Sequence, residues 1–348
     1  SIFSTGVSLH VWGPEPTVPL WKVRLDTFKR FGLDAWIGAG IGFGNPNVEV
    51  EKKIVAQEEE LIMADYIYKT PKGKLVRKMA YPKYDGEWTV KYTVDDPVKD
   101  LPKLEAMLNY DPWQGYDAGG FERIKEAVGE DGLVYATGGH PALDWWSYLR
   151  GSQAGIMDIY DHWDTIAPLW ERYEMLDLEK TRIACREGAE LIYGGGSFTT
   201  LSLISPEWYK RFVYPHLKKA AEICHQEGVF FCVQVNGKCN DVLDILADAG
   251  VGCTEPLERS PLGDVDIGDA KRRIGKTVCL KGNVDPVNTL LKGTPEDVDK
   301  EIREIVETAG SDGTGLIVST SDQTCRDTPV ENMEAFRKAV EKYGSDSC

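Results

Sequence analysis

The stretch VFFCVQVNGKCND (Val229–Asp241) decides how the rest of the chain is read. Its first seven residues, VFFCVQV (Val229–Val235), are an unbroken apolar and β-branched run, the pattern of a strand buried on both faces. Gln234, Asn236 and Gly237 end the run, and a helical pattern follows over 240–249. In a barrel of parallel strands, side chains just beyond a strand's C-terminal end lie at the reaction site. Gln-x-Asn-Gly therefore stands where chemistry is expected, and neither amide titrates. Gln234 and Asn236 alternate, so both point to one side of the strand.

Working outward, the same kind of run recurs at Thr5–Val11, Asp34–Gly40, Leu133–Gly138, Glu190–Gly195, Gly252–Pro256, Thr277–Asn283 and Leu316–Asp322. Helical patterns separate nearly all of them, at Leu20–Phe31, Glu122–Val128, Ile156–Glu187, Pro206–Glu227, Glu296–Thr308 and Val330–Tyr343. Strand and helix in eightfold alternation predict an α/β fold, a (β/α)8 TIM barrel. Ser205-Pro206-Glu207 and Thr294-Pro295-Glu296 predict helix starts, and Gly250 a helix end. The exception is Glu59–Asp96, where Lys72-Gly73 and Asp85-Gly86 dipeptides sit between alternating residues. That segment reads as a β-hairpin insertion after the second strand, over the barrel mouth. No repeat or low-complexity linker appears, so residues 1–348 are expected to form a single domain.

Composition narrows the partners. With Lys+Arg 40 against Asp+Glu 56, the net charge is −16, which repels a phosphate backbone and disfavours nucleic acid. No apolar run approaches the roughly 20 residues that span a bilayer. No signal peptide is visible, and the eight cysteines form no CxxC pair. A reducing, cytoplasmic location is the expectation.

SPEWYKRFVYPHLKK (Ser205–Lys219), VQVNGKCNDVLDILADAGV (Val233–Val251), KGNVDP (Lys281–Pro286), GTPEDVDKEIREIV (Gly293–Val306) and TGLIVSTSDQTCRDTPVENMEAF (Thr314–Phe336) occur in an order and spacing that resembles the uroporphyrinogen decarboxylase superfamily. The resemblance implies two functional branches. Decarboxylases open with an arginine-rich segment that grips substrate carboxylates, whereas Gly6–Trp21 carries no arginine. The other branch resembles corrinoid-dependent methyltransferases. Its thiol-methylating members hold zinc with His-x-Cys after the fifth strand and a later Cys. Here those first two positions are Gln234 and Asn236, and Cys325 is the Cys that remains. Neutral amides are poor zinc ligands beside imidazole and thiolate.

Zinc serves a thiol acceptor by holding it as thiolate, and a ring amine has no use for it. The resemblance therefore implies a methyltransferase moving a methyl group from methylcobalamin, or from a separate corrinoid protein, to N5 of tetrahydrofolate, with no metal. Asn236, with both a donor and an acceptor, is the expected catalytic contact to N5. Its alternative is a turn residue before glycine.

Gln234, Glu255, Asn283, Asp285, Ser319 and Asp322 are the expected substrate-binding residues, with Ser321 beside them. Glu255 leads for the donor edge of the pterin and Asp322 is second. The alternatives are a rim salt bridge for Glu255, a helix cap for Asp285 and a core amide for Gln234. His10, His140, Gly194 and Gly195 are expected to face the corrinoid. The glycines after the third and fourth strands would clear room for a flat ring, and His140 has a plain surface role as its alternative. Cys325 also reads as a packing thiol, and a metal site from Cys325, Cys239 and His225 puts His225 at the wrong end of the barrel.

The partners expected are thus a corrinoid protein and a small-molecule pterin. Oligomeric state stays open, a homodimer included. The competing functions are an O-demethylase acting on methyl ethers, a decarboxylase of the same superfamily, and a non-catalytic binder. The hairpin tip (Lys72–Lys74) is the expected docking element for the corrinoid protein.

Overall fold

The computed structural model describes residues 18–83 and 86–344. Seven parallel strands form one curled sheet in sequential order: Ala35–Gly38, Gly132–Thr137, Leu191–Gly196, Phe230–Val235, Cys253–Glu255, Cys279–Val284 and Leu316–Thr320. Each coincides with an expected strand to within two residues at either end. The expected strand Thr5–Val11 lies outside the described residues. The fold is of the (β/α)8 barrel class.

Strand periodicity sorts the side chains into two layers. Ile37, Val134, Ile192, Phe231, Val233 and Leu280 pack outward against the helices. Leu191, Cys232 and Cys253 pack inward with Trp36, Leu133, Tyr135, Tyr193 and Cys279. Cys232, Cys253 and Cys279 stand side by side in register, so these thiols act as small apolar wedges in the barrel interior.

The helix signals hold. The Ser205 hydroxyl accepts the Trp208 N–H at 3.3 Å, Thr294 and Asp297 form a capping box, and Gly250 takes φ +82° just past Leu243–Asp248. Two expected helices are each two. Ile156–Glu187 divides into Ser152–Asp161 and Trp163–Arg186, and Pro206–Glu227 divides into Pro206–Phe212 and Tyr214–Gln226, where Pro215 starts the second.

The insertion is larger than the sequence suggested. It is a four-stranded antiparallel sheet of Glu49–Gln57, Leu61–Thr70, Gly73–Pro82 and Trp88–Lys91, so it begins ten residues before Glu59. Glu49–Gln57 is exposed on nearly every residue of both faces, which leaves no apolar alternation to read. The hairpin tip does not hang over the mouth: Pro71 and Lys72 line a cavity with Pro102, Leu169 and Arg172 of the helices Pro97–Leu108 and Trp163–Arg186. What approaches the rim is the Arg77 side of the sheet. The Arg77 charge acts on Tyr148, whose ring meets Phe198 edge-on at 4.9 Å just past Leu191–Gly196.

Candidate active site

Gln234 and Asn236 lie together at the C-terminal end of Phe230–Val235. The Gln234 amide donates from Nε2 to Asn236 Oδ1 at 2.6 Å, so the two side chains share one side of the strand as the alternation required. The same bond leaves the Asn236 Nδ2 donors and the second Oδ1 lone pair available.

A carboxylate held beside this pair is Glu258, which the sequence reading did not single out. Its Oε1 accepts the Gly237 N–H at 2.6 Å, and among the described residues no donor reaches Oε2. The local backbone is built to place it. Leu257 holds φ +57°, the only left-handed non-glycine among the described residues. Gly263 packs so closely that a Cβ there would meet Glu258 Cβ at 2.6 Å. Glu258 is 6% exposed, and burial pushes its pKa up. The Gly237 N–H works against that rise, and the charge of Asp322 adds to it. Asp322 is half-buried, and its Oδ1 accepts the Gln323 N–H at 2.6 Å. Asn236, Gly237, Glu258 and Asp322 thus come from three loops to one place.

Glu255 is not free for a ligand. It is 4% exposed inside the barrel, where Tyr193 Oη donates to one oxygen and the Lys281 ammonium to the other. Burial pushes its pKa up, but Lys281 and these hydrogen bonds outweigh it and hold the carboxyl below its usual range. Lys281 also sits over the Trp36 ring at 4.8 Å. Burial, and then the Glu255 charge, push the Tyr193 phenol far above its ordinary range. The alternative reading of a salt bridge therefore holds for Glu255, placed within the barrel rather than at its rim.

Two other expected contacts are also engaged by the protein. Asp285 caps the turn Pro286–Leu291: Oδ1 accepts the Val287 and Asn288 N–H groups, each at 2.8 Å, and Oδ2 accepts Asn288 Nδ2 at 2.8 Å. Asn283 is fully buried; its Oδ1 accepts from Arg259 at 3.2 Å, and Arg259 pairs with Glu301 at 2.9 Å. It belongs with the outer helix Pro295–Ile305 rather than the barrel interior. Ser319 and Ser321 are buried at the end of Leu316–Thr320.

The expected corrinoid-facing glycines meet the protein itself. A Cβ at Gly194 would lie 2.2 Å from Gly138 O, at Gly195 2.5 Å from Gln234 O, and at Gly196 2.1 Å from the Asp144 carboxyl. Gly138 and Gly139 are equally crowded by Thr181 and Phe231. These glycines permit close approach of strands and loops, and the room they leave is already filled. His10 lies outside the described residues. His140 is half-buried: its Nδ1–H donates to Gly195 O at 2.8 Å and its backbone N–H to Asp177 at 3.1 Å. In the neutral ring this leaves Nε2 as an acceptor. Beside it, burial raises the Asp144 carboxyl to about 6, against the opposing pull of the Phe198 N–H and His140. Behind them Asp177 accepts from the fully buried His216 at 2.9 Å.

Cys325 lines a cavity of about 610 Å³ with Lys22, Asp26 and Met333. His225 lies against Gly250, at the far end of the barrel. Among the described residues, no three His, Cys, Asp or Glu side chains are grouped so as to hold a metal ion. No helix among them is long and apolar enough to cross a membrane.

The family profile described as "Uroporphyrinogen decarboxylase (URO-D)" matches residues 141–343, more than half of the chain. The chain belongs to this family. The expected superfamily is thereby borne out, and the relatives include both kinds of enzyme. A uroporphyrinogen decarboxylase of Trichodesmium erythraeum is 28% identical over 166 residues, covering 47% of this chain and 44% of its own length. A methylated-thiol–coenzyme M methyltransferase of Methanosarcina mazei is 28% identical over 156 residues, covering 44% of this chain and 38% of its own. The chain thus spans less than half the length of these curated relatives. Among solved structures, a methyltransferase from Methanosarcina mazei superposes with a TM-score of 0.55 at 18% identity, covering 76% of this chain and 74% of that one, which bears out the barrel fold.

Proposed function

We propose that this family member is a methyltransferase that moves a methyl group from a methylated corrinoid, free or carried by a corrinoid protein, to N5 of tetrahydrofolate without zinc. The observation that carries the reading is the 2.6 Å bond between Gln234 and Asn236. It fixes a neutral amide, not an imidazole or thiolate, at the end of the strand. An amide accepts the N–H of the free amine and donates to the lone pair of the methylated one, so Asn236 serves N5 on both sides of the reaction. With Glu255 engaged by Lys281, Asp322 is the carboxylate for the pterin's donor edge. The methylated corrinoid is a substrate and supplies the methyl group as an electrophile. The corrinoid protein docks at the inserted sheet.

The test is direct. Purified chain given methylcobalamin and tetrahydrofolate should form methyltetrahydrofolate and release the demethylated corrinoid. No methylated folate, methylation of a thiol in its place, or one tightly bound zinc per chain would each overturn the reading. Uroporphyrinogen offered to the same preparation should not be decarboxylated.

A further inference from the structure

Resting on that reading, we infer that Glu258 is the catalytic base of the site, the group that takes the N5 proton as the methyl group arrives. Three placements carry this. Glu258 is joined through the Gly237 N–H to the residue next to Asn236, at 2.6 Å. It is 6% exposed yet keeps Oε2 without a donor from the described residues. It is held by the left-handed Leu257 and the close-packed Gly263, so its position is set by backbone rather than by a flexible loop. No lysine or arginine pairs with it among the described residues, in contrast to Glu255. A buried carboxylate with no cation beside it binds a proton more readily than a solvated one, and its neighbour Asp322 strengthens that tendency. Cys239 is the other titratable group whose field it shares.

The step balances as follows. The N5 lone pair forms the new N–C bond, and the electron pair of the methyl–cobalt bond leaves with the corrinoid. The N5 proton then passes to Glu258 Oε2, which later releases it to solvent. No oxidant or reductant beyond the two substrates is needed. Asp322, besides facing the pterin's donor edge, raises the proton affinity of the base through its charge.

The experiment compares wild type, Glu258→Gln and Asp322→Asn with free methylcobalamin and saturating tetrahydrofolate across pH. Wild-type kcat should fall at low pH with an acid limb above the ordinary carboxylate range, because the working form of Glu258 is ionised. Glu258→Gln, which keeps an oxygen for the Gly237 N–H, should lose about 100-fold or more in kcat and lose the limb, with little change in KM. Asp322→Asn, which also removes the proposed contact to the pterin edge, should raise the KM for tetrahydrofolate and, at saturation, keep the limb but move it to lower pH. Full activity in Glu258→Gln, or an unmoved limb in Asp322→Asn, overturns the assignment while leaving the methyl transfer intact. An inactive wild type sinks the transfer and this role together. Should Glu258→Gln not fold, the shift in Asp322→Asn decides alone.

Discussion

Asp144 shows how burial at a single residue becomes a property of the whole protein. An aspartate whose native pKa, about 6, exceeds its unfolded value favours the native state when protonated. Its stabilisation is complete below about pH 4 and lost as pH rises through about 6. The unfolding free energy of wild type, read from denaturant titrations, should therefore fall across that window by about 2–3 kcal/mol, and Asp144→Asn should flatten the fall. An unchanged slope in the variant would place the effect elsewhere. At this scale the sequence was legible where chemistry followed strand alternation. Gln234 and Asn236 are two residues apart, and their shared side could be read directly. Glu255 reads as an open contact in the sequence because its partners, Lys281 and Tyr193, lie 26 and 62 residues away. Glu258 carries no signal in the sequence for the same reason, since Gly237 and Asp322 reach it only through the fold.

The strands were the most legible elements, because burial on both faces leaves continuous apolar runs between glycines and polar ends. Glu49–Gln57 was illegible because solvent meets both of its faces. At the element scale Asp285 gives a clean test. All its hydrogen bonds as an acceptor go to the turn Pro286–Leu291, so Asp285→Ala should lower stability by about 1–2 kcal/mol and leave the KM for the proposed acceptor, tetrahydrofolate, unchanged. A raised KM with unaltered stability would return the residue to the site. The glycine segment 194–196 teaches a related point. Three glycines in a row suggest empty space in a sequence, but here they mark places where backbone and side chains are closest.

For the whole molecule, the seven described strands hold one set of loops at one end, and the inserted sheet stands beside them. Trp88 and Val90 are each 49% exposed on the outermost strand of that sheet, apolar surface with no partner within the described residues. If the corrinoid protein docks there, replacing both by serine should slow methyl transfer from the protein-bound donor and leave transfer from free methylcobalamin as it was. Equal loss with both donors would remove the sheet from docking. The tip Lys72–Lys74, turned toward the helices, is the weaker place to look.

The ion pair of Glu255 and Lys281, with Tyr193 and Trp36 against it, fills the barrel beside and below Gln234. Under the proposed reading, whatever reaches Asn236 does so from the loop side of this plug, so folate would be seated before the bulkier corrin and would leave after it.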